Sequence, residues 1–191
     1  MAPPPVHDLL LIRHAPALNQ GRLAGRRDVP ADLGDGAAAA RLRALLGPVD
    51  AVVCSPALRC RQTAGVLFPD ASPGLDPRLW EQDFGAWEGV SFADMPDLGP
   101  MAPRDLAAHR PPGGESFADL CARVAPALRE IVMHQGRSAI IAHAGTVRAA
   151  LAMALGDVPA ALAFSVDPLS VTRLMLCGES WAIGHVNRTA P

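Results

Sequence analysis

Hydrophobic residues recur along this chain in short unbroken runs that alternate with longer stretches spaced for one helical face. Val6 to Ile12 is an apolar run ending abruptly at Arg13-His14-Ala15-Pro16. A run with no polar alternation suits a strand buried on both faces of a sheet. A polar loop rich in Gly and Arg follows through Asp32. From Leu33 to Leu46, Ala39, Leu42, Leu45 and Leu46 fit one face of a helix that Gly47-Pro48 would stop. Asp50 to Cys54 predicts a second strand, and Ser55-Pro56 a helix to about Phe68, with Ser55 as its N-cap and Pro56 in its first turn.

The pattern then lapses. Residues 69–113 are rich in Pro and Gly and offer only a strand near Leu75 to Leu79. So long a stretch exceeds a connector and reads as an inserted lid or wall over a site. Helical spacing returns from Ser116 to His134, where Phe117, Leu120, Val124, Leu128 and Ile131 share a face and Pro126 predicts a kink or break. Ser138 to Ala142 predicts a third strand, Thr146 to about Leu155 a helix, and Val171–Cys177 and Ser180–Val186 two last strands. The alternation predicts one α/β domain over 1–191: three α/β/α layers around a mostly parallel sheet.

Composition narrows the chemistry. Of 191 residues half are hydrophobic, enough for a substantial core, and the net charge of −2 argues against nucleic acid or an anionic membrane as partner. All 17 basic residues are Arg; Lys and Tyr are absent. A lysine Schiff base and a P-loop lysine are thereby excluded, and any anion held by side-chain cations must be held by Arg or His. Cys54, Cys60, Cys121 and Cys177 lack disulfide-framework or zinc spacing, and Cys54 reads as a small core residue. His7, His109, His134 and His185 stand singly, without the spacing of metal ligands. No signal peptide follows Pro3-Pro4-Pro5 and no run approaches a membrane span, so the expected location is cytoplasmic.

Three expected strand ends carry polar residues: Arg13-His14, Ser55 to Arg59, and His143. Ligands of open α/β sheets bind outside the carboxyl ends of the strands, so two imidazoles and two guanidinium groups should face one crevice. A neutral imidazole is a competent nucleophile near neutral pH. Arginine's planar fork matches phosphate oxygens and keeps its charge. Helix N-termini after Ser55 and His143 would add backbone donors. The set suits phosphoryl transfer.

Five segments, in order, resemble the histidine phosphatase superfamily with its phosphoglycerate mutase-like fold. They are Leu11-Ile12-Arg13-His14; Ser55 to Ala64; Trp80 to Gly89; Pro111 to Ser116; and Ile141 to Gly145. The resemblance implies His14 as phosphoryl acceptor, Arg13 and Arg59 as ligands of the transferring group, and His143 as a hydrogen-bond donor to it. It implies Glu81 as the proton donor to the leaving oxygen and then the base that activates water. Glu88 is the rival carboxylate, expected to be structural. Asn19 corresponds to a phosphate-contacting asparagine, and Ala144 replaces a glycine whose backbone N–H can still donate. Ala15-Pro16-Ala17 departs from the usual Gly-Glu-Thr and removes polar side chains that often meet the substrate. No cofactor or metal is implied. The expected activity is hydrolysis of a small phosphorylated metabolite through a phosphohistidine. Candidate substrates are α-ribazole phosphate, sugar phosphates, phosphoglycerates and nucleotides; a mutase reaction and a non-catalytic phospho-ligand-binding module are the alternatives. A homodimer through the sheet edge or the lid is compatible with the sequence, though no residue selects it.

Overall fold

A computed structural model describes residues 6–133 and 136–191; the reading of His134, and of the segment before Val6, lies outside them. Strand β1 (Val6–Arg13) sits within a six-stranded sheet. Helix α1 (Ala37–Leu46) leads to β2 (Ala51–Cys54), and α2 (Leu58–Leu67) to the two-residue β3 (Gly74–Leu75). Three 3-10 turns and α3 (Pro103–Ala108) precede α4 (Phe117–Val132) and β4 (Arg137–Ala142). Helices α5 (Ala144–Leu155) and α6 (Val158–Ala161) are followed by β5 (Val171–Cys177) and β6 (Ser180–Arg188).

The sheet runs β3-β2-β4-β1-β5-β6. Pairs β1–β4, β2–β4 and β2–β3 are parallel, whereas β5 is antiparallel to both of its neighbours, β1 and β6. Successive side chains of a strand point to opposite faces, and β1 is apolar on both. Leu9 and Leu11 join a cluster with α4 and α5, while Leu10 and Ile12 join one with α1 and α2. The three expected layers are present.

Several local expectations fail for identifiable reasons. Helix α1 starts at Ala37, not Leu33, because Gly34 and Gly36 take left-handed φ of +52° and +77°. Helix α2 starts after Ala57, and neither Ser55 nor Pro56 opens it. Its cap is remote: Asp28 Oδ1 accepts from the Leu58 N–H at 2.6 Å. The strand near Leu75 to Leu79 shrinks to Gly74–Leu75, and Pro77–Leu79 form a 3-10 turn capped by Asp76. Helix α4 continues through Pro126 without a break. Pro126 and Ala122, whose carbonyl loses its partner there, are both exposed, so water can satisfy that oxygen. Ser116 and Asp119 form a reciprocal capping box at the start of α4.

Candidate active site

Parallel β1, β2 and β4 deliver Arg13-His14, Ser55 and His143 to one end of the sheet, and α2 contributes Arg59. His14 is 5% exposed, and its Nδ1 lies 2.6 Å from the Ala15 carbonyl oxygen. A carbonyl can only accept, so Nδ1 carries the proton. The other nitrogen, Nε2, receives the Arg59 Nε–H at 3.2 Å and therefore holds the lone pair. Ala15, where the family pattern has glycine, keeps this geometry and also donates its N–H to Thr63 Oγ1 at 3.0 Å.

Arg59 is fully buried yet almost fully partnered. Nη1 donates to the Arg27 carbonyl (2.9 Å), and Nη2 to the Gly25 carbonyl (2.7 Å) and to His143 Nδ1 (3.2 Å). Since His143 accepts at Nδ1, its Nε2 carries the proton toward Ser55 Oγ at 2.9 Å. The two imidazoles meet edge to face with centroids 5.1 Å apart, and Trp80 stacks on His143 at 6.2 Å. Arg13 Nη1 donates to the Val166 carbonyl at 2.6 Å. Burial lowers the Arg13 pKa, yet a guanidinium remains charged at neutral pH.

Burial, reinforced by Arg59 and Arg13, pushes the His14 pKa down to about 3, the carbonyl of Ala15 opposing it. His143 is depressed well below the ordinary value, again first by burial. Both rings are neutral in the fold. An unfolded chain takes up these protons near pH 6.5, so between there and about 3 it binds more protons than the native state. Stability must fall as pH falls through that window. At ~1.4 kcal/mol per pH unit, His14 alone should cost on the order of 2 kcal/mol by pH 5. Denaturant unfolding at pH 7 and pH 5 tests this: His14→Gln should lose less than the wild type by about that amount. Equal losses would refute it.

Glu81 enters the same crevice from the 69–113 stretch. Its Oε1 accepts from Gly145 N–H (3.2 Å) and Gln82 N–H (3.0 Å), which seats the carboxylate at the N-terminus of α5. A Cβ on Gly145 would overlap that oxygen and Leu120. The backbone behind Glu81 is gathered by Arg123 of α4, which donates to the carbonyls of Arg78 (2.6 Å), Trp80 (3.1 Å) and Glu81 (3.3 Å). Arg123 is held in turn by Glu115, which also accepts from Asp83 N–H at 3.1 Å. Glu88 points elsewhere: it accepts from Arg26 N–H (2.7 Å) and Phe84 N–H (3.2 Å), fastening the 19–28 loop to the 84–92 segment. Asn19 donates to the Arg22 carbonyl at 2.6 Å and reaches the crevice wall, as does Ala144.

The crevice encloses about 290 Å³. Glu81, Gln82, Phe84 and Phe92 are what the 69–113 stretch contributes to it, and none is basic. The arginines of that stretch are engaged or distant: Arg78 pairs with Asp76 and Glu130, Arg110 with Asp119, and Arg104 lies by α6. Among the described residues no cluster of three His, Cys, Asp or Glu has metal-ligating geometry, and no helix is long and apolar enough to cross a membrane. Sequence reasoning brought Arg13, His14, Arg59, Glu81 and His143 to one place. It missed Ser55 as the partner of His143, Thr63 behind Ala15, and the Arg123–Glu115 pair. Thr63 was readable, since it lies four residues after Arg59 on one helix face; the Ser55–His143 contact and the reach of Arg123 to the 78–81 backbone are long-range and have no local signature.

A family model described as the histidine phosphatase superfamily (branch 1) matches residues 9–189. The chain belongs to this superfamily. It is 34% identical over 203 residues to the bifunctional protein Rv2228c of Mycobacterium tuberculosis, covering 95% of this chain and 54% of that protein. It therefore spans about half the length of the first curated relatives it matches. A glucosyl-3-phosphoglycerate phosphatase of Mycolicibacterium vanbaalenii is 31% identical over 169 residues, 79% of this chain and 75% of that one. Among solved structures, mycobacterial hydrolase 1 superposes with a TM-score of 0.85 at 26% identity, over 97% of this chain and all of that one. A mycobacterial glucosyl-3-phosphoglycerate phosphatase in complex with VO3 superposes with a TM-score of 0.81 at 26% identity, over 96% of this chain and all of that one. The fold is phosphoglycerate mutase-like, and the superfamily's relatives include phosphatases of small phosphorylated metabolites.

Proposed function

We propose that this chain is a phosphomonoester hydrolase acting through a phosphohistidine on His14, without a metal. One observation carries the reading. His14 Nε2 holds a lone pair 3.2 Å from the Arg59 guanidinium while Nδ1 is tied to a carbonyl 2.6 Å away. A neutral, oriented nucleophile beside a fixed cation is what an approaching phosphoryl group requires.

His14 Nε2 attacks phosphorus and the bond to the leaving oxygen breaks, its electron pair departing with that oxygen. The Glu81 carboxyl donates the proton that makes the leaving group an alcohol. Arg13, Arg59 and the Ala144 N–H bear the charge of the phosphoryl oxygens, with Asn19 at the rim. His143 meets these oxygens through Nδ1, and the Ser55 hydroxyl, able to donate or accept, serves either ring tautomer. The Glu81 carboxylate then takes a proton from water, whose oxygen attacks phosphorus. The P–N bond breaks, its pair returns to Nε2, and inorganic phosphate leaves.

Hydrolysis is favoured over mutase transfer because the 69–113 stretch turns its arginines away from the crevice, leaving little to hold a second phosphate. The modest cavity supports a small metabolite as substrate. A chromogenic aryl phosphate assayed with chelator present tests the reading. Turnover undiminished by chelator is expected, and none would be seen from a binding module. A requirement for added divalent cation would overturn the mechanism.

A further inference from the structure

A cluster of charge lies toward the end of the sheet opposite the crevice and takes no part in the chemistry above. Asp8 precedes His14 by six residues along β1, ~20 Å at ~3.3 Å per residue. Asp8 pairs with Arg137 of β4, Leu10 with Arg173 of β5, and Arg173 with His185 of β6. Cross-strand partners share a face, as do residues two apart in one strand. Arg137, Asp8, Arg173 and His185 therefore line one face across four adjacent strands. Helices α1 and α2 leave that part of the sheet bare: the buried cluster they form takes only Val171 from β5 and no residue of β6.

One carboxylate serves two guanidinium groups there. Asp8 Oδ1 accepts from Arg173 Nε at 2.8 Å, and Oδ2 lies 3.3 Å from Arg137 Nε, which is buried and makes no hydrogen bond. Neither arginine has another ion pair among the described residues, and Arg188, close to His185, has none. Residues 1–5 and 134–135 contain no acidic side chain. The His185 ring lies in the field of Arg188, Arg173 and Arg137 against Asp8 alone, and its buried Nε2 has no partner. Both arginines lie over glycine: a Cβ on Gly184 would stand 3.3 Å from Arg173 Cδ, and one on Gly47 3.6 Å from Arg137 Nη1. With each Nε beside Asp8, four Nη nitrogens are left without a protein partner among the described residues. A carboxylate's two oxygens match one such fork, whereas the oxygens of a tetrahedral dianion match two. Its charge also suits the excess of cation that Asp8 leaves.

We propose that Arg137 and Arg173, with His185 beside them, form a second oxyanion site that binds a phosphate group away from the catalytic crevice. The site stands apart from the phosphatase reading, since none of these residues lines the crevice. Inorganic phosphate and the phosphate group of a small metabolite share the chemistry that this site recognises.

NMR spectra of the arginine side chains, histidine rings and backbone amides, recorded while inorganic phosphate is added at fixed ionic strength, test it. The Arg137 and Arg173 Nε–H signals and the His185 ring protons should shift and saturate together, as a set distinct from any response of Ala144 and Gly145. Arg173→Gln should weaken this event by about tenfold or more, the loss expected when a charged hydrogen-bonding group is removed. It should leave any response of Ala144 and Gly145 as it was. Arg173→Lys, which keeps the charge but not the fork, should fall between. Arg137→Gln should repeat the loss from the neighbouring side of Asp8, and it carries the test should Arg173→Gln fail to fold. Phenylphosphonate, which has no ester bond to hydrolyse, separates the two sources. Tighter binding than orthophosphate at this site assigns it to the phosphate group of a metabolite, and weaker binding to the free ion. Signals that stay still, drift without saturating, or move equally with chloride would overturn the proposal. So would saturable binding that neither Arg173→Gln nor Arg137→Gln weakens.

Discussion

Replacing His14 with alanine should abolish turnover, lowering kcat on an aryl phosphate by about 10⁴-fold or more. The nucleophile is then absent, and water attacking directly would lack the covalent route that divides the barrier in two. Rapid quenching of the unsubstituted enzyme with a phosphorus-labelled ester should leave label on protein that is lost in acid and retained in base, as a phosphoramidate bond behaves. Peptide mapping should place it on His14. Label on a serine or a carboxylate, or turnover by His14→Ala within tenfold of normal, would refute the mechanism.

Arg59→Ala should be nearly as damaging to kcat, by about 10³-fold, the range for removing a preorganised charge donor from a reacting centre. Unlike the loss of His14, it should also weaken the fold. Arg59 is buried, and its removal strands the carbonyls of Gly25 and Arg27 and releases both imidazoles. An unsatisfied buried acceptor costs about 1–3 kcal/mol, so unfolding in denaturant should show a loss of several kcal/mol. Arg59→Lys keeps charge without the fork and should recover little of either. Arg59→Ala with intact activity would mean that the guanidinium does not bear on the phosphoryl group.

The contrast between His14 and Ser55 shows what a sequence of this kind makes legible. His14 ends an unbroken apolar run, and the rule that sheets bind ligands at the carboxyl ends of their strands locates it without a single known contact. Ser55 also ends such a run, but its neighbour Pro56 suggested a helix cap. That capping role belongs to Asp28, thirty residues earlier in a loop with no periodicity. Pro126 left a kink or a break open; the helix continues without a break, and the exposure of Ala122, whose carbonyl loses its partner, is a tertiary property. Length and composition alone set the 69–113 stretch apart, and four of its residues, Glu81, Gln82, Phe84 and Phe92, line the crevice. Glu81, not Glu88, reaches the crevice because the Arg123 network positions the 78–81 backbone, and those bonds span more than forty residues.

Gly145 leaves no room for even one methyl group between the first turn of α5 and the carboxylate it receives. Under the mechanism proposed here, the proton donor and the opening of that helix behave as one mechanical part, seated by direct contact instead of by a flexible side chain reaching across a gap. Drift in the lid could reshape the mouth and the choice of alcohol, yet it could not carry the acid elsewhere without dismantling the helix start that also follows His143. Diversity among such enzymes would then accumulate around the rim, with the distance between nucleophile and acid held nearly constant.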